Sequence, residues 1–361
     1  MTTRKWLYEI RNQMAGFVPV ALVLFGMKSQ TVSADVLQID QRFLGPVASL
    51  DFDKKGERLA VGVEATSPDP STLIANLKTK DVVAMESQPG KMAECARFSP
   101  DGNLVVAGGW DAKVQLWDVA SSKLLHTFAT DFSIVQALAF SPDGRWLAMG
   151  GEEIYDKLHL DENNQLLLWD VKAHTLVAKI PLPYGIHHLI YTPNGRQIIG
   201  AESFDSIFVV DVAKRAVIRR WKALDENCIQ VNGLSLSKDG KRLASGGYDK
   251  KVRIWNPDTG ELLKTFEGHE DDIKAVALSP DGKYVASGGM DRWVWVREVD
   301  TGRSVERFDF GTNRVYSLAF SPDGEWLVSG TATGGVHFDR VADFQFLKPK
   351  PNPVPASAPP K

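Results

Sequence analysis

Cysteine is nearly absent: Cys95 and Cys228 are the only two in 361 residues. That excludes a CxxC metal or redox site. The two fall in different repeats, so no bridge is expected and both read as buried free thiols. No lysine- or arginine-rich stripe appears among 42 basic and 45 acidic residues, and this scatter argues against nucleic acid as a partner. GxSxG, HExxH, P-loop and dinucleotide motifs are all missing, so no cofactor is expected and catalysis has no motif to rest on. The apolar run at residues 15–27 is thirteen long, against about 20 for a helix that spans a bilayer.

That run has a telling setting. Arg4, Lys5 and Arg11 precede it, and Val32, Ser33 and Ala34 end the polar stretch that follows. Residues 1–34 therefore read as a secretory signal peptide cleaved after Ala34, with a periplasmic or secreted product. Pro19 and Glu9 are atypical of such a segment, so an uncleaved anchor and a cytoplasmic extension stand as alternatives. A membrane is a partner only if the segment stays attached. Cleavage would remove four basic residues and one acidic one, taking the net charge from -3 to -6.

What the chain has in plenty is a repeated turn. Ser-Pro-Asp-Gly begins at Ser99, Ser141, Ser279 and Ser321, and looser copies begin at Asp53, Thr192 and Ser237. Successive starts are 46, 42, 51, 45, 42 and 42 residues apart, close to the roughly 40–45 residues of a four-stranded propeller blade. Proline presets φ, Asp accepts local N–H bonds and Gly takes the left-handed position, so each copy is a tight hairpin. Alternating runs such as that at 134–140 are half-buried strands. Four short strands cannot bury both faces alone, which predicts an all-β, seven-bladed propeller of four-stranded antiparallel blades over residues 35–347. Residues 36–43 or 342–347 are expected to complete the last blade. The tail at 348–361, with six prolines in fourteen residues, is outside any sheet.

These units resemble WD repeats, and the chain resembles a bacterial WD-repeat protein. Trp117-Asp118 and Trp169-Asp170 are literal WD pairs, Trp255-Asn256 is a near copy, and Gly268-His269 is the one Gly-His pair. Elsewhere the WD place holds Ala75-Asn76, Val210-Asp211, Arg297-Glu298 and Asp339-Arg340. The resemblance implies hydrogen-bonded tetrads of His, Asp, Ser and Trp within blades. Blade six offers His269, Ser287 and Asp291 with Arg297 in place of Trp; blade five offers Ser245, Asp249 and Trp255 with Asn227 in place of His. No blade is complete.

The expected function follows from the rim. Before each hairpin Asp stand Trp110, Phe204, Tyr248 and Met290, apolar residues at turn tips on the usual binding face of related propellers. At the matched start of each inner strand stand Ala48, Glu94, Gln136, His187, Asn232, Lys274 and Tyr316. Aromatic anchors around a polar mouth suit a protein or peptide partner. A non-enzymatic, exported interaction scaffold is the leading expectation. The alternatives are a propeller enzyme or metal or cofactor binder at the channel mouth, and a cytoplasmic assembly scaffold. Adjacent His187 and His188 should face opposite ways and share no metal. The insertion at 152–163, with Glu152, Glu153, Asp156, Asp161 and Glu162, reads as a solvated loop, with a partner contact and then a calcium site as alternatives. Trp146, Trp326, Trp293 and Trp295 read as blade packing.

Overall fold

The computed structural model describes residues 35–37, 45–64, 71–85, 92–152, 164–225, 228 and 230–344. The chain divides into Met1–Ser33 and Ala34–Lys361; the first unit, with the expected signal segment, lies outside the described residues, as do the tail at 348–361 and all of the insertion beyond Glu152. Among the described residues twenty-eight strands, β1 to β28 in chain order, form seven four-stranded antiparallel sheets. Each sheet begins with an inner strand: β2 (Val47–Phe52), β6 (Ala93–Phe98), β10 (Ile134–Phe140), β14 (Ile186–Tyr191), β18 (Val231–Leu236), β22 (Ile273–Leu278) and β26 (Val315–Phe320). The seven-bladed propeller expected from the turn spacing is the fold.

The repeated turn is held by its own side chains. In the second blade Ser99 Oγ donates to Asp101 Oδ1 at 2.5 Å and accepts from the Leu104 N–H at 2.9 Å, while Gly102 N–H closes on Ser99 O. Gly102 sits at φ +73°, a value open to glycine at little cost. The turns also touch one another. A Cβ at Gly144, Gly195 or Gly240 would lie 3.6, 3.5 or 3.1 Å from Pro100, Pro142 or Pro193 of the preceding blade. Proline therefore both shapes its own turn and packs on the next.

The ring is closed by β1 (Asp35–Leu37), which pairs antiparallel with β28 (Val336–Arg340), Asp35 opposite Phe338. The N-terminal segment thus supplies the outer strand of the seventh blade, described over Asp35–Leu37; the rest of the expected 36–43 lies outside the described residues. The rival closing segment instead starts in a 3-10 turn, Val341–Asp343. The seal continues inward, where Ser317 Oγ donates to Val47 O at 2.7 Å. Joining distant parts of the chain removes an open sheet edge.

The core lies between blades. Trp146 packs against one such cluster and Trp326 against another, as expected. Trp293 and Trp295 depart from expectation. Both are half-buried, and the Arg307 guanidinium covers their rings at 4.0 and 5.0 Å. Alternation puts them on one face as expected, but an arginine from the outer strand covers that face. Cys95 is buried as expected, its thiol pushed up to about 12 by burial. Cys228 is only half-buried, because it sits in a connecting loop between blades and not in a strand.

Candidate partner-binding face

All seven inner strands share one irregularity. Pairing with the next strand skips a residue between Val47 and Ser49, Ala93 and Cys95, Val135 and Ala137, Ile186 and His188, Val231 and Gly233, Ile273 and Ala275, and Val315 and Ser317. The skipped residues are Ala48, Glu94, Gln136, His187, Asn232, Lys274 and Tyr316. Every mouth position named from the sequence is a β-bulge, the device by which a strand frees one side chain from the ladder and re-aims it. Seven equivalent backbone sites thus present seven different side chains.

Neighbouring loops meet this ring. Trp110, 36% exposed, donates its indole N–H to Glu94 Oε1 at 2.6 Å. Lys274 Nζ lies 4.9 Å from the Tyr248 ring centre, joining blades six and five. His187 Nε2 is 3.2 Å from Glu152 Oε1 on the preceding blade, which also accepts from Ser203 Oγ at 2.5 Å. Asn232 donates to Ile273 O at 2.7 Å. Burial raises the Tyr316 phenol, and the Glu64 charge adds to this. Gln136 has its buried Oε1 without a partner among the described residues.

The turn tips are less uniform than the sequence suggests. Trp110 is the most open. Phe204, Tyr248 and Met290 are half-buried, with Phe204 packed on Tyr184 at a centroid distance of 4.3 Å. The structure brings together Trp110 with Glu94 and Tyr248 with Lys274. It leaves Glu94, His187 and Lys274 in three separate blades. His187 is the bulge residue of its strand, and the two adjacent histidines meet different surroundings. His187 reaches Glu152, whereas His188 is held near 3 by burial, with Arg97 and His187 adding to the effect, and its Nδ1 has no partner among the described residues. No three metal-ligating side chains gather among the described residues. No helix among them is long and apolar enough to cross a membrane.

A family model described as "WD domain, G-beta repeat" matches residues 90–118, 122–170, 223–256, 260–297 and 302–338, just over half the chain. The chain belongs to the WD-repeat family. The unmatched stretches hold most of blades one and four, where Ala75 and Val210 replace the tryptophan. Similar relatives include the rice protein "Small ribosomal subunit protein RACK1y", 30% identical over 45% of this chain and 46% of its own length. "Small ribosomal subunit protein RACK1" of Neurospora crassa is 28% identical over 45% and 50%, and "MST50-interacting protein 11" of Pyricularia oryzae 26% over 47% and 53%. The chain spans about half the length of the curated relatives it matches.

The WD tetrads are partly built. In blade six His269 joins Asp291 through Nδ1 and Ser287 through Nε2, both at 2.8 Å. In blade five Trp255 donates to Ser245 Oγ at 2.9 Å, but the histidine's role falls to Arg253, which binds Asp249 and Asp225. The named stand-in, Asn227, lies outside the described residues. Sequence reading missed Arg253 because it comes from the third strand. Its signal was a charge at an inward position between Val252 and Ile254.

Proposed function

We propose that this WD-repeat protein is a bacterial, exported, non-enzymatic scaffold that binds a protein or peptide across the channel mouth. The observation that carries the reading is the ring of seven bulges. One backbone geometry displays Glu94, Gln136, His187, Asn232, Lys274 and Tyr316, with Trp110 and Tyr248 as aromatic partners at its edge. A rigid frame with variable, re-aimed side chains suits recognition, where buried aromatics and their charged neighbours supply most of the binding energy. Two relatives are named as ribosomal subunit proteins and one as an interacting protein, which fits assembly with other macromolecules. Those relatives come from a plant and two fungi and bear only on the repeats. The bacterial and exported parts of the reading rest on the repeat resemblance and on the N-terminal layout of basic residues, apolar run and small residues ending at Ala34.

Trp110→Ala combined with Tyr248→Ala is expected to reduce capture of the native partner at least tenfold in affinity purification, with the melting temperature shifted by a few degrees at most. Undiminished capture by a destabilised double variant would remove the rim from the site. N-terminal sequencing of the native protein tests export separately. A start at Asp35 is expected; an intact Met1 or Thr2 contradicts cleavage.

A further inference from the structure

In blades three, five and six the third strand meets the outer strand of the blade before it at one shared register position. Phe128 meets Trp169 at 5.1 Å, Trp221 meets Trp255 at 6.1 Å, and Phe266 lies 5.7 Å from the Arg297 guanidinium. Strand pairing fixes the frame: Trp169, Trp255 and Arg297 stand opposite Leu147, Leu243 and Val285. In the seventh blade the residue in that frame, opposite Leu327, is Asp339. Its apolar counterpart on the preceding blade is Phe308. A short carboxylate therefore occupies the place of an indole.

Phe344 takes part of that place, its ring edge-to-face with Phe308 at a centroid distance of 5.8 Å, but space remains beside the pair. A cavity of ≈ 300 Å³ is lined by Phe308, Asp309, Phe310, Asn313, His337 and Asp339. Asp339 is 8% exposed, and its Oδ2 has no partner among the described residues. Ser329, opposite His337 in the pairing and 0% exposed, also has an unpartnered hydroxyl, although its equivalents Ser245 and Ser287 are both bonded. Four residues before the inner strand, where blade six has His269, blade seven has Gly311, and a Cβ there would meet nothing within 4 Å. Phe310 and His337 stand edge to face, 5.0 Å apart at 90°, and form an aromatic corner.

These walls select one ligand chemistry. A calcium-like ion needs six or more oxygen ligands, more than the side chains of Asp309, Asn313 and Asp339 supply beside three aromatic rings. An anion would meet two carboxylates, with Glu306 near enough to act on Asp339 as well. A neutral apolar guest would leave the buried carboxylate unpaired, an expensive outcome. A cation with an apolar skirt satisfies both features, since aromatic faces attract positive charge.

We propose that this inter-blade cavity binds an alkylammonium group, its charge on Asp339 and its carbon atoms against Phe308, Phe310 and the His337 ring. The group belongs either to a free small amine or to a lysine side chain. The proposal is independent of the rim.

Calorimetric titration of the full chain with choline, with Nα-acetyl-lysine methylamide and with 3,3-dimethylbutan-1-ol, the neutral isostere of choline, tests it. One of the two cations is expected to saturate and to bind at least tenfold tighter than the neutral alcohol, and which of them does so identifies the source. Asp339→Asn, which keeps the shape, is expected to weaken that binding at least tenfold. Phe310→Leu, which removes a ring face but not the apolar volume, is expected to weaken it about threefold. Saturation by neither cation, equal binding of the alcohol, or unchanged affinity in Asp339→Asn would each overturn the proposal.

Discussion

Replacing Gly109 by alanine lowers the stability of the propeller by about 3 kcal/mol or more, measured by denaturant unfolding. Gly109 pairs with Ala93, and Gly108 pairs with Cys95, so the bulged Glu94 sits between their partners. A Cβ at position 109 would stand 1.7 Å from Met92 O. The obstacle is backbone, so no side-chain rotation relieves it. Gly151 and Gly289 are under the same constraint, each with a carbonyl oxygen 2.0 Å from the added atom. The strand must retreat, and the bond from the Trp110 N–H to Met92 O, 3.3 Å long, is lost with it. Glu94 then leaves its place beside the Trp110 indole, so the variant is also expected to lose partner capture. Gly311→Ala is the control. Its added Cβ meets nothing, and only the left-handed backbone at φ +64° opposes it, at about 1 kcal/mol. A loss below about 1 kcal/mol at Gly109 would show that the bulge yields and that it does not set the geometry of the mouth.

The blade count and the positions around the mouth were legible because a closed ring repeats its local chemistry. Each Ser-Pro-Asp-Gly turn satisfies its own backbone, so its signature is contiguous in the chain. What was hidden depends on groups far apart. The bulges leave only an indirect trace, the glycine pairs at the ends of the second strands of blades two, three, five and six, opposite the skipped residue. Arg253 takes over a histidine's partner from another strand, which a motif aligned by position does not register. Trp293 and Trp295 alternate as core residues do, yet Arg307 reaches across to cover them. The cavity in blade seven is the sharpest case. Asp339 looked like a degenerate WD pair in one dimension. In three dimensions Phe344 supplies the ring beside Phe308, and Asp339 is left lining an aromatic hollow with its Oδ2 unpartnered among the described residues.

His269→Ala carries the second large effect, a loss of about 3–5 kcal/mol. The imidazole is 7% exposed and bonds Asp291 and Ser287 at once. Truncation leaves a buried carboxylate with only the N–H groups of Glu270 and Trp293, at 3.1 and 3.2 Å, and a buried hydroxyl without its imidazole partner, a heavier penalty than loss of the bonds themselves. Acidity separates this account from simple loss of packing. Burial by itself would raise the Asp291 carboxyl, but the hydrogen bond and charge of His269, with the two backbone donors, outweigh it and hold the group below its ordinary range. A carboxyl so lowered contributes stability that is present above its unfolded value of about 3.9 and lost as pH falls through the folded one. The difference between wild type and variant should therefore be full at neutral pH and shrink below about pH 4. A difference that stays constant down to pH 3 would assign the loss to packing alone. The link also ties the loop before β22 to its own blade, and that strand carries Lys274 to the Tyr248 ring. Hydrogen exchange along β22 should accelerate in His269→Ala. Blade seven, with Gly311 in the histidine's place and Asp339 in the tryptophan's, has no such link to lose, and exchange along β26 should be unchanged.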